Sequence, residues 1–172
     1  LEVSIVGTPT DAASATTMFD AWDYKGSFDG PTGTSSSIAE LDGVADEIHV
    51  AVVDRTGGIT GVAGTVLETF PYLSVASNAK GSDGTSNFYK DVLKNKSSWI
   101  YAGGFHLGDS AGVSDFHAAT NWGTPATKGT AVNYATGNTT SQSTWTFAGG
   151  VTTVDVGATE ITGGFDKFND TD

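Results

Sequence analysis

The sequence predicts an α/β fold, a mixed sheet with flanking helices, and three observations support this prediction. Residues 48–53 form an apolar run interrupted only by His49, which is typical of a central strand covered on both faces. A glycine-containing turn at 54–58 separates this run from a second apolar segment at 59–70, so the two segments predict a hairpin. Residues 86–95 place apolar side chains at helical spacing, with Thr85 or Ser86 as the expected cap.

Upstream of the hairpin, the pattern predicts a first strand and a loop that packs on the core. Apolar and polar residues alternate over 1–6, which predicts a half-buried strand with Glu2 and Ser4 on its polar face. Residues 36–41 are compatible with one helical turn or with an edge segment. We expect four irregularly spaced aromatic residues to pin a loop onto the core, namely Phe19, Trp22, Tyr24 and Phe28.

Downstream of the helix, the pattern becomes less regular. Residues 99–102 predict a short strand, and a strand is expected to restart at Trp145 and Phe147. Between them, residues 103–142 are rich in Gly, Thr, Ala and Asn and lack periodicity over a length unusual for a loop. We therefore predict an irregular Gly/Thr-rich insertion on the surface. A final helix is expected to begin near Phe165 and Phe168.

The whole chain, residues 1–172, is predicted to form one α/β domain, because no shift in composition marks a second one. Both ends look cut from a longer protein, so we expect a fragment of a larger subunit. The predicted core residues are Ile48, Val50, Val52, Val53, Val66, Leu67, Phe70, Phe88, Val92, Leu93, Ile100 and Phe147.

Composition narrows the classes of partner. The net charge is −12 with eight Lys and Arg residues, so the chain lacks the basic patch that binding to nucleic acid requires. An anionic membrane surface would repel it, and no apolar run reaches the length of about 18–20 residues that spans a bilayer. The chain has no cysteine, which excludes disulfides and thiolate chemistry.

Six segments form a combination that is highly specific when they occur together. The segments are Pro31-Thr32-Gly33-Thr34-Ser35, Asp46-Glu47-Ile48-His49-Val50, Thr60-Gly61, Thr65-Val66-Leu67-Glu68, Asn87-Phe88-Tyr89-Lys90-Asp91-Val92-Leu93 and Ser97-Ser98-Trp99-Ile100-Tyr101. In combination they resemble the contractile tail sheath protein of large tailed phages. The resemblance covers residues 28–102 well and 145–170 loosely, with a weaker echo at 147–150 and 163–168, whereas 103–142 matches no known pattern.

The resemblance implies the central α/β portion of a structural subunit, and neither an enzyme nor a cofactor-binding protein. Sheath subunits polymerise as stacked rings around the tail tube and contract to drive genome delivery. The implied partners are other sheath subunits, the tail tube protein, and the baseplate and tail terminator proteins. The implied location is the virion tail sheath, assembled in the host cytoplasm.

Catalytic readings have weaker support in the sequence. Asp54, His106 and Ser110 supply the side-chain types of a hydrolase triad, which is defined by geometry and not by chain order. Ser110 follows no strong strand and precedes no clear helix, so a strained nucleophile elbow is not supported. Gly57, Gly58 and Gly61 lack the following Lys-Ser/Thr of a phosphate-binding loop.

Two binding alternatives remain. His106, His117, Asp109 and Asp115 supply oxygen and nitrogen ligands for a cation, but without zinc or EF-hand spacing. For His49 we expect a hydrogen-bonded core histidine. The alternative to the sheath subunit is a secreted adhesin or carbohydrate-binding β-rich module with exposed tryptophans. Its candidate residues are Trp122 and Trp145. The glycosylation sequons at Asn95, Asn138 and Asn169 are interpreted as chance matches in a Ser/Thr-rich chain without a secretory context.

Overall fold

The computed structural model describes residues 1–7, 12–102, 122–129 and 142–146, with only the backbone described at 12–14 and 142–146. Its described strands form one four-stranded sheet in the order β3-β2-β1-β4. The strands are β1 (Glu2–Gly7), β2 (Glu47–Asp54), β3 (Thr65–Ser74) and β4 (Gln142–Thr146). Each neighbouring pair is antiparallel.

Helices accompany the sheet, so the expected combination of strands and helices is present. They are α1 (Ala12–Asp20), α2 (Ser36–Ala39) and α3 (Tyr89–Lys96), with a 3-10 turn at Lys25–Ser27. Residues 36–41 thus contain a helical turn. The sequence predicted a mixed sheet, but every pairing between the described strands is antiparallel. The consecutive strands β2 and β3 form a hairpin, β1 pairs with β2, and β4 pairs with β1.

Strand β2 is the centre of the described sheet. It pairs with β1, where Val3 lies opposite Val52, and with β3, where Val50 lies opposite Phe70. All of its residues from Ile48 onward are buried. The predicted central strand with both faces covered is confirmed.

Two apolar clusters cover the two faces of β2. The first cluster contains Ile48, Val50 and Val52, and α3 contributes Val92 and Leu93 to it. The second cluster forms on the opposite face, where the predicted aromatic segment packs. Its residues are Val6, Phe19, Trp22, Ala51 and Val53, with Met18, Tyr24, Phe28 and Val66 packed against them.

Most of the predicted core residues lie in these clusters. Val66, Leu67 and Ile100 are half-buried against them, and Phe147 lies outside the described residues. The buried residues are Ile48, Val50, Val52, Val53, Phe70, Phe88, Val92 and Leu93. The predicted core left out several fully buried residues, among them Val6, Ile38 and Val75, and Trp22, which was expected to pin a loop onto the core, is fully buried as well.

The prediction of a half-buried β1 was wrong, because both of its faces are covered. Glu2 and Ser4 are buried. The indole Nε1 of Trp22 donates to Ser4 Oγ at 2.9 Å, and the Tyr24 hydroxyl donates to Glu2 Oε1. Burial, followed by the hydrogen bond to Glu2, raises the pKa of Tyr24 to about 12. Aromatic residues from the segment after α1 therefore supply hydrogen-bond donors to the polar side chains of β1.

The second hairpin strand lies later than predicted, at 65–74 instead of 59–70. Positive φ angles at Gly57, Gly61 and Gly64 keep the intervening residues in a long loop. The prediction that Thr85 or Ser86 caps α3 was also wrong. The residue at the N-cap position is Phe88, and no side chain makes a capping hydrogen bond there. Ser86 Oγ instead accepts from the Phe88 N–H at 3.3 Å and donates to Asp91 Oδ2 at 2.6 Å.

The predicted strand at 99–102 is absent from the structure. Ser97 Oγ accepts from the N–H groups of Trp99 and Ile100, at 3.2 and 3.0 Å. These local bonds compete with strand pairing for the backbone donors. Ile100 still packs against the first cluster, whereas Tyr101 is 68% exposed.

Within the predicted insertion at 103–142, the described residues 122–129 are mostly exposed, but two of them are anchored in the core. Trp122 and Ala126 are buried in the first cluster. The Gly123 N–H donates to the Val75 carbonyl at 2.8 Å, and the Asn78 side chain makes two 2.8 Å hydrogen bonds to the Ala126 backbone. Gln142 begins β4, and the rest of the insertion lies outside the described residues. The final helix predicted near 165 lies outside them as well.

Candidate functional site

The loop between β2 and β3, residues 55–64, is held in one shape by Asp54. The side-chain oxygen Oδ2 of Asp54 accepts from the backbone N–H groups of Ile59 and Thr60, at 2.9 and 2.7 Å, and from Thr60 Oγ1 at 3.0 Å. The backbone N–H of Thr60 is the main reason that the pKa of Asp54 is lowered. The carboxylate therefore stays ionised and anchors this segment, which we call the hairpin loop.

Glycines complete the shape of the hairpin loop. Gly57 has φ 76°, and the Gly61 N–H donates to the Gly57 carbonyl at 2.8 Å. A Cβ atom at position 57 would lie 2.8 Å from the backbone nitrogen of Ala63, closer than real contacts allow. The Gly64 N–H donates to the Asp54 carbonyl at 2.8 Å and closes the loop.

This braced loop holds two aliphatic side chains in solvent. Val62 is 65% exposed and Ile59 is 45% exposed. Scattered exposed aliphatic residues are ordinary, but these two lie on one loop whose shape is fixed by internal hydrogen bonds. The hairpin loop is therefore the first candidate site.

A groove of about 580 Å³ is the second candidate site. It lies between β3 and the turn at 81–87, and we call it the β3 groove. Its apolar lining comes from Phe70 and Leu73 of β3, Val92 of α3, and Pro71. The charged residues at the groove are Glu68, Asp83 and Lys96.

The two carboxylates of the β3 groove already have partners within the chain. Glu68 accepts from Ser97 Oγ at 2.5 Å and from the Ser98 N–H at 2.7 Å. Asp83 Oδ1 accepts from the hydroxyl and the N–H of Thr85, at 2.7 and 3.0 Å. The bond from the Thr85 hydroxyl is the first cause of the lowered pKa of Asp83. These carboxylates brace the groove, and the lowered pKa of Asp83 is the opposite of what a general acid needs.

The edge of β3 that borders the groove is irregular. Its register with β2 shifts at two places, and Tyr72 has φ 53°, in the left-handed region. Pro71 has no backbone N–H to offer to a further strand. Bulges and prolines are the devices that protect sheet edges from pairing with other strands.

His49 is a hydrogen-bonded core histidine, as predicted. Its Nε2 lies 2.8 Å from the Gly30 carbonyl, and its Nδ1 accepts from the Tyr72 N–H at 3.1 Å. The ring stacks on Phe28 with centroids 4.6 Å apart. Burial lowers the pKa of His49. The neutral ring is therefore a structural bridge between β2, the bulge of β3 and the segment before α2.

A buried carboxylate that the sequence analysis did not single out connects three segments. Asp46 Oδ1 accepts from the Ser35 N–H at 2.8 Å, while Oδ2 accepts from Ser35 Oγ at 2.7 Å and from Ser74 Oγ at 2.5 Å. The adjacent Gly33 N–H donates to Glu47 Oε2 at 2.9 Å. The available signal was the position of Asp46 immediately before β2, whose residues 48–53 are apolar apart from His49.

Most residues of the considered catalytic and metal constellations lie outside the described residues, namely His106, Ser110, His117, Asp109 and Asp115. Asp54 serves the hairpin loop, as do Gly57, Gly58 and Gly61. Among the residues that the structure describes, no group of three or more His, Cys, Asp or Glu side chains is arranged to hold a metal ion.

The remaining candidates are the two tryptophans of the carbohydrate-binding alternative and the asparagines of the glycosylation sequons. Trp122 is buried, so it is not the exposed sugar platform that the carbohydrate-binding alternative expects. Trp145 lies in β4, Asn95 lies exposed on α3, and Asn138 and Asn169 lie outside the described residues. In the described ranges, none of the helices has the length and apolar character needed to cross a membrane.

In comparisons with known proteins, no protein-family model, no curated protein and no solved structure matches the chain.

Proposed function

We propose that this chain is part of a structural subunit of a contractile phage tail sheath. The observation that carries the proposal is that the segments resembling sheath proteins contact one another. Ser35 and Gly33 of one segment bond to Asp46 and Glu47 of the next. Glu68 likewise accepts from Ser97 and Ser98, about thirty residues further along the chain. The resembling residues thus belong to one structural unit.

The mechanical properties of this unit suit a contracting polymer. A subunit that moves as a rigid body needs an internal core, and β2 supplies one with an apolar cluster on each face. Contacts that are exchanged between two states are expected to be modest and partly polar. Only 16% of the residues are charged, and Gly is abundant at 23 residues, which is compatible with such a surface.

The proposed partners follow from the resemblance. They are further copies of the subunit in stacked rings, the tail tube protein inside them, and the baseplate and tail terminator proteins at the two ends. The protein would be assembled in the host cytoplasm and function in the virion tail.

Negative-stain electron microscopy of the full-length protein, expressed alone, tests the proposal. Tubes or stacked rings are the expected result, because sheath subunits polymerise. Monodisperse small particles at high protein concentration would contradict it. A glycan array would then test the carbohydrate-binding alternative, which the burial of Trp122 leaves with less support.

A further inference from the structure

We propose that the dipeptide Asp29–Gly30 is a modification site at which isoaspartate forms spontaneously, a covalent change of the backbone that needs water and no other reactant. The chain contains three Asp-Gly dipeptides, at 29–30, 42–43 and 83–84. The structure protects the second and the third and leaves the first open. The inference does not depend on the sheath proposal, because it follows from the chemistry of the folded chain.

The reaction joins the side chain of an aspartate to the backbone nitrogen of the residue that follows it. This nitrogen attacks the aspartate Cγ atom, so an N–C bond forms, a C–O bond of the carboxyl group breaks, and its hydroxyl leaves with the amide hydrogen as water. Water then opens the resulting five-membered succinimide ring. Opening at Cγ restores aspartate, whereas opening at the main-chain carbonyl carbon gives isoaspartate, whose backbone runs through the Cβ atom. Glycine in the second position favours ring closure, because it has no side chain to hinder the nitrogen.

The fold holds the nitrogen of the dipeptide at 42–43. The Gly43 N–H donates to the Ile38 carbonyl at 3.0 Å, just after α2, and Gly43 is buried. A Cβ atom at Gly43 would lie 2.5 Å from Ile38 Cγ2, which shows how closely the glycine is packed. Attack by this nitrogen requires that the segment opens first, as exchange of a hydrogen-bonded amide does.

The dipeptide at 83–84 has both of its reacting groups engaged. The Gly84 N–H donates to the Gly81 carbonyl at 2.9 Å. Asp83 Oδ1 accepts from the hydroxyl and the N–H of Thr85, at 2.7 and 3.0 Å. These bonds must break before the nitrogen reaches the side chain, so the turn at 81–85 protects this dipeptide.

The dipeptide at 29–30 lacks both kinds of protection. Asp29 is exposed, and within the described part of the chain neither its carboxylate nor the Gly30 N–H makes a hydrogen bond. The two residues lie in a bend after the 3-10 turn and belong to no helix or strand. A Cβ atom at Gly30 would lie 3.8 Å from the Tyr72 hydroxyl oxygen, an ordinary contact, so the glycine is not tightly packed. Ring closure here does not require opening of the fold.

Isoaspartate at position 29 would disturb the surroundings of His49. The Gly30 carbonyl lies 2.8 Å from His49 Nε2, and the Phe28 ring stacks on the His49 ring with centroids 4.6 Å apart. Isoaspartate adds one carbon atom to the backbone between Phe28 and Gly30. Both of these residues contact the same buried ring, so the two contacts cannot keep their present geometry together. The modified protein is therefore expected to be less stable than the native one.

Mass spectrometry of the purified full-length protein, after prolonged incubation at neutral pH, tests the site. Cleavage after lysine and after glutamate separates the three dipeptides, because Glu40 lies between the first two and Lys80 precedes the third. Isoaspartate has the same mass as aspartate, so it is identified by electron-transfer fragmentation and by labelling with isoaspartyl methyltransferase. A parallel sample incubated in urea gives the rate of each dipeptide without the fold.

For each dipeptide, the rate in the folded protein is divided by its rate in urea. We expect this ratio to be at least about fivefold greater at Asp29 than at Asp42 or Asp83, because hydrogen bonds oppose the reaction at the other two sites. A smaller difference overturns the inference. Hydrogen exchange gives an independent measure, since the Gly30 amide should exchange faster than those of Gly43 and Gly84.

A first variant tests the access of the Gly30 nitrogen. Gly30 is not among the glycines with positive φ, and a Cβ atom fits there, so Gly30→Ala is expected to fold. The added methyl group hinders ring closure, and isoaspartate at Asp29 should form at least about fivefold more slowly. An unchanged rate would contradict the proposed attack by this nitrogen.

A second variant tests the consequence for His49. Asp29→Glu keeps the carboxylate, but its reaction would need a six-membered ring, which closes much more slowly. The melting temperature of the native protein should fall during incubation as isoaspartate accumulates, whereas Asp29→Glu should keep its initial value. No fall in the native protein, or an equal fall in both proteins, would overturn the predicted loss of stability.

Discussion

At the scale of the residue, His49 shows how a side chain that is often reactive serves as structure. Both ring nitrogens are engaged, one with the Gly30 carbonyl and one with the Tyr72 N–H. A protonated ring would carry a hydrogen on Nδ1, where the Tyr72 N–H already points. Protonation therefore opposes the fold.

This gives a pH dependence with a defined sign. Burial lowers the pKa of His49 from 6.5, so the unfolded chain binds the proton more readily than the folded protein. The stability that neutral His49 contributes is complete above about pH 6.5 and is lost as the pH falls below that value, by at most about 1.4 kcal/mol per pH unit. Urea unfolding at several pH values between 8 and 5 measures it.

The matched variant for this prediction is His49→Gln, whose amide can replace both hydrogen bonds without titrating. Glu47 also faces this region, and burial raises its pKa, so its contribution changes with the opposite sign. Asp29 and Tyr72 lie nearby. The difference between the native chain and His49→Gln isolates His49, and an identical pH dependence in the two proteins would refute the prediction.

At the scale of the element, the central position of β2 can be tested with one charge. Val52 is buried between β1 and β3, where an aspartate would have no partner. Val52→Asp should lower the free energy of unfolding by about 3–5 kcal/mol. Val62→Asp places the same charge on the hairpin loop at a 65% exposed site and should change it little. Equal melting temperatures for the two variants would show that β2 is not central.

The hairpin loop offers a matched pair of adjacent glycines. Gly57 has a positive φ and no space for a Cβ atom, whereas a Cβ atom at Gly58 would be 3.5 Å from Thr56 Oγ1, an ordinary contact. Gly57→Ala should therefore destabilise the protein by at least about 1 kcal/mol. Gly58→Ala should have a much smaller effect in the same thermal melt. Similar melting temperatures would mean that the loop adopts another shape.

At the scale of the whole molecule, Asn78 fastens residues 122–129 to the core. Its side chain accepts from the Ala126 N–H and donates to the Ala126 carbonyl, both at 2.8 Å. Asn78→Ala removes both of these part-buried hydrogen bonds and should cost about 0.5–1.5 kcal/mol. Asn95→Ala, on the exposed side of α3, is the control.

Hydrogen exchange locates the effect of Asn78→Ala. The amide of Ala126 should lose protection first, because its acceptor is the Asn78 side chain. Unchanged protection at Ala126, together with a native melting temperature, would mean that Trp122 and the backbone hydrogen bonds of the segment hold it without Asn78.

The local sequence pattern was enough to predict β2, the hairpin and α3. A run of apolar residues indicates a buried strand, and apolar residues at helical spacing indicate a helix, without reference to the rest of the chain. The predicted position of β3 was wrong by several residues, because the sequence does not show which loop glycines adopt the positive φ angles that lengthen the loop. The candidate surfaces were not predicted. Exposure of Ile59 and Val62 depends on what the fold places next to them.

The sequence by itself determined that this chain has a central apolar strand, an acidic surface and no cysteine chemistry. Only the tertiary structure decided that Glu2, Ser4 and Asp46 are buried and satisfied, and that Trp122 packs in the core. The physical reason is separation along the chain. A buried polar group is stabilised by the partner that the fold brings to it, such as Trp22 for Ser4, and spacing in the sequence does not identify that partner.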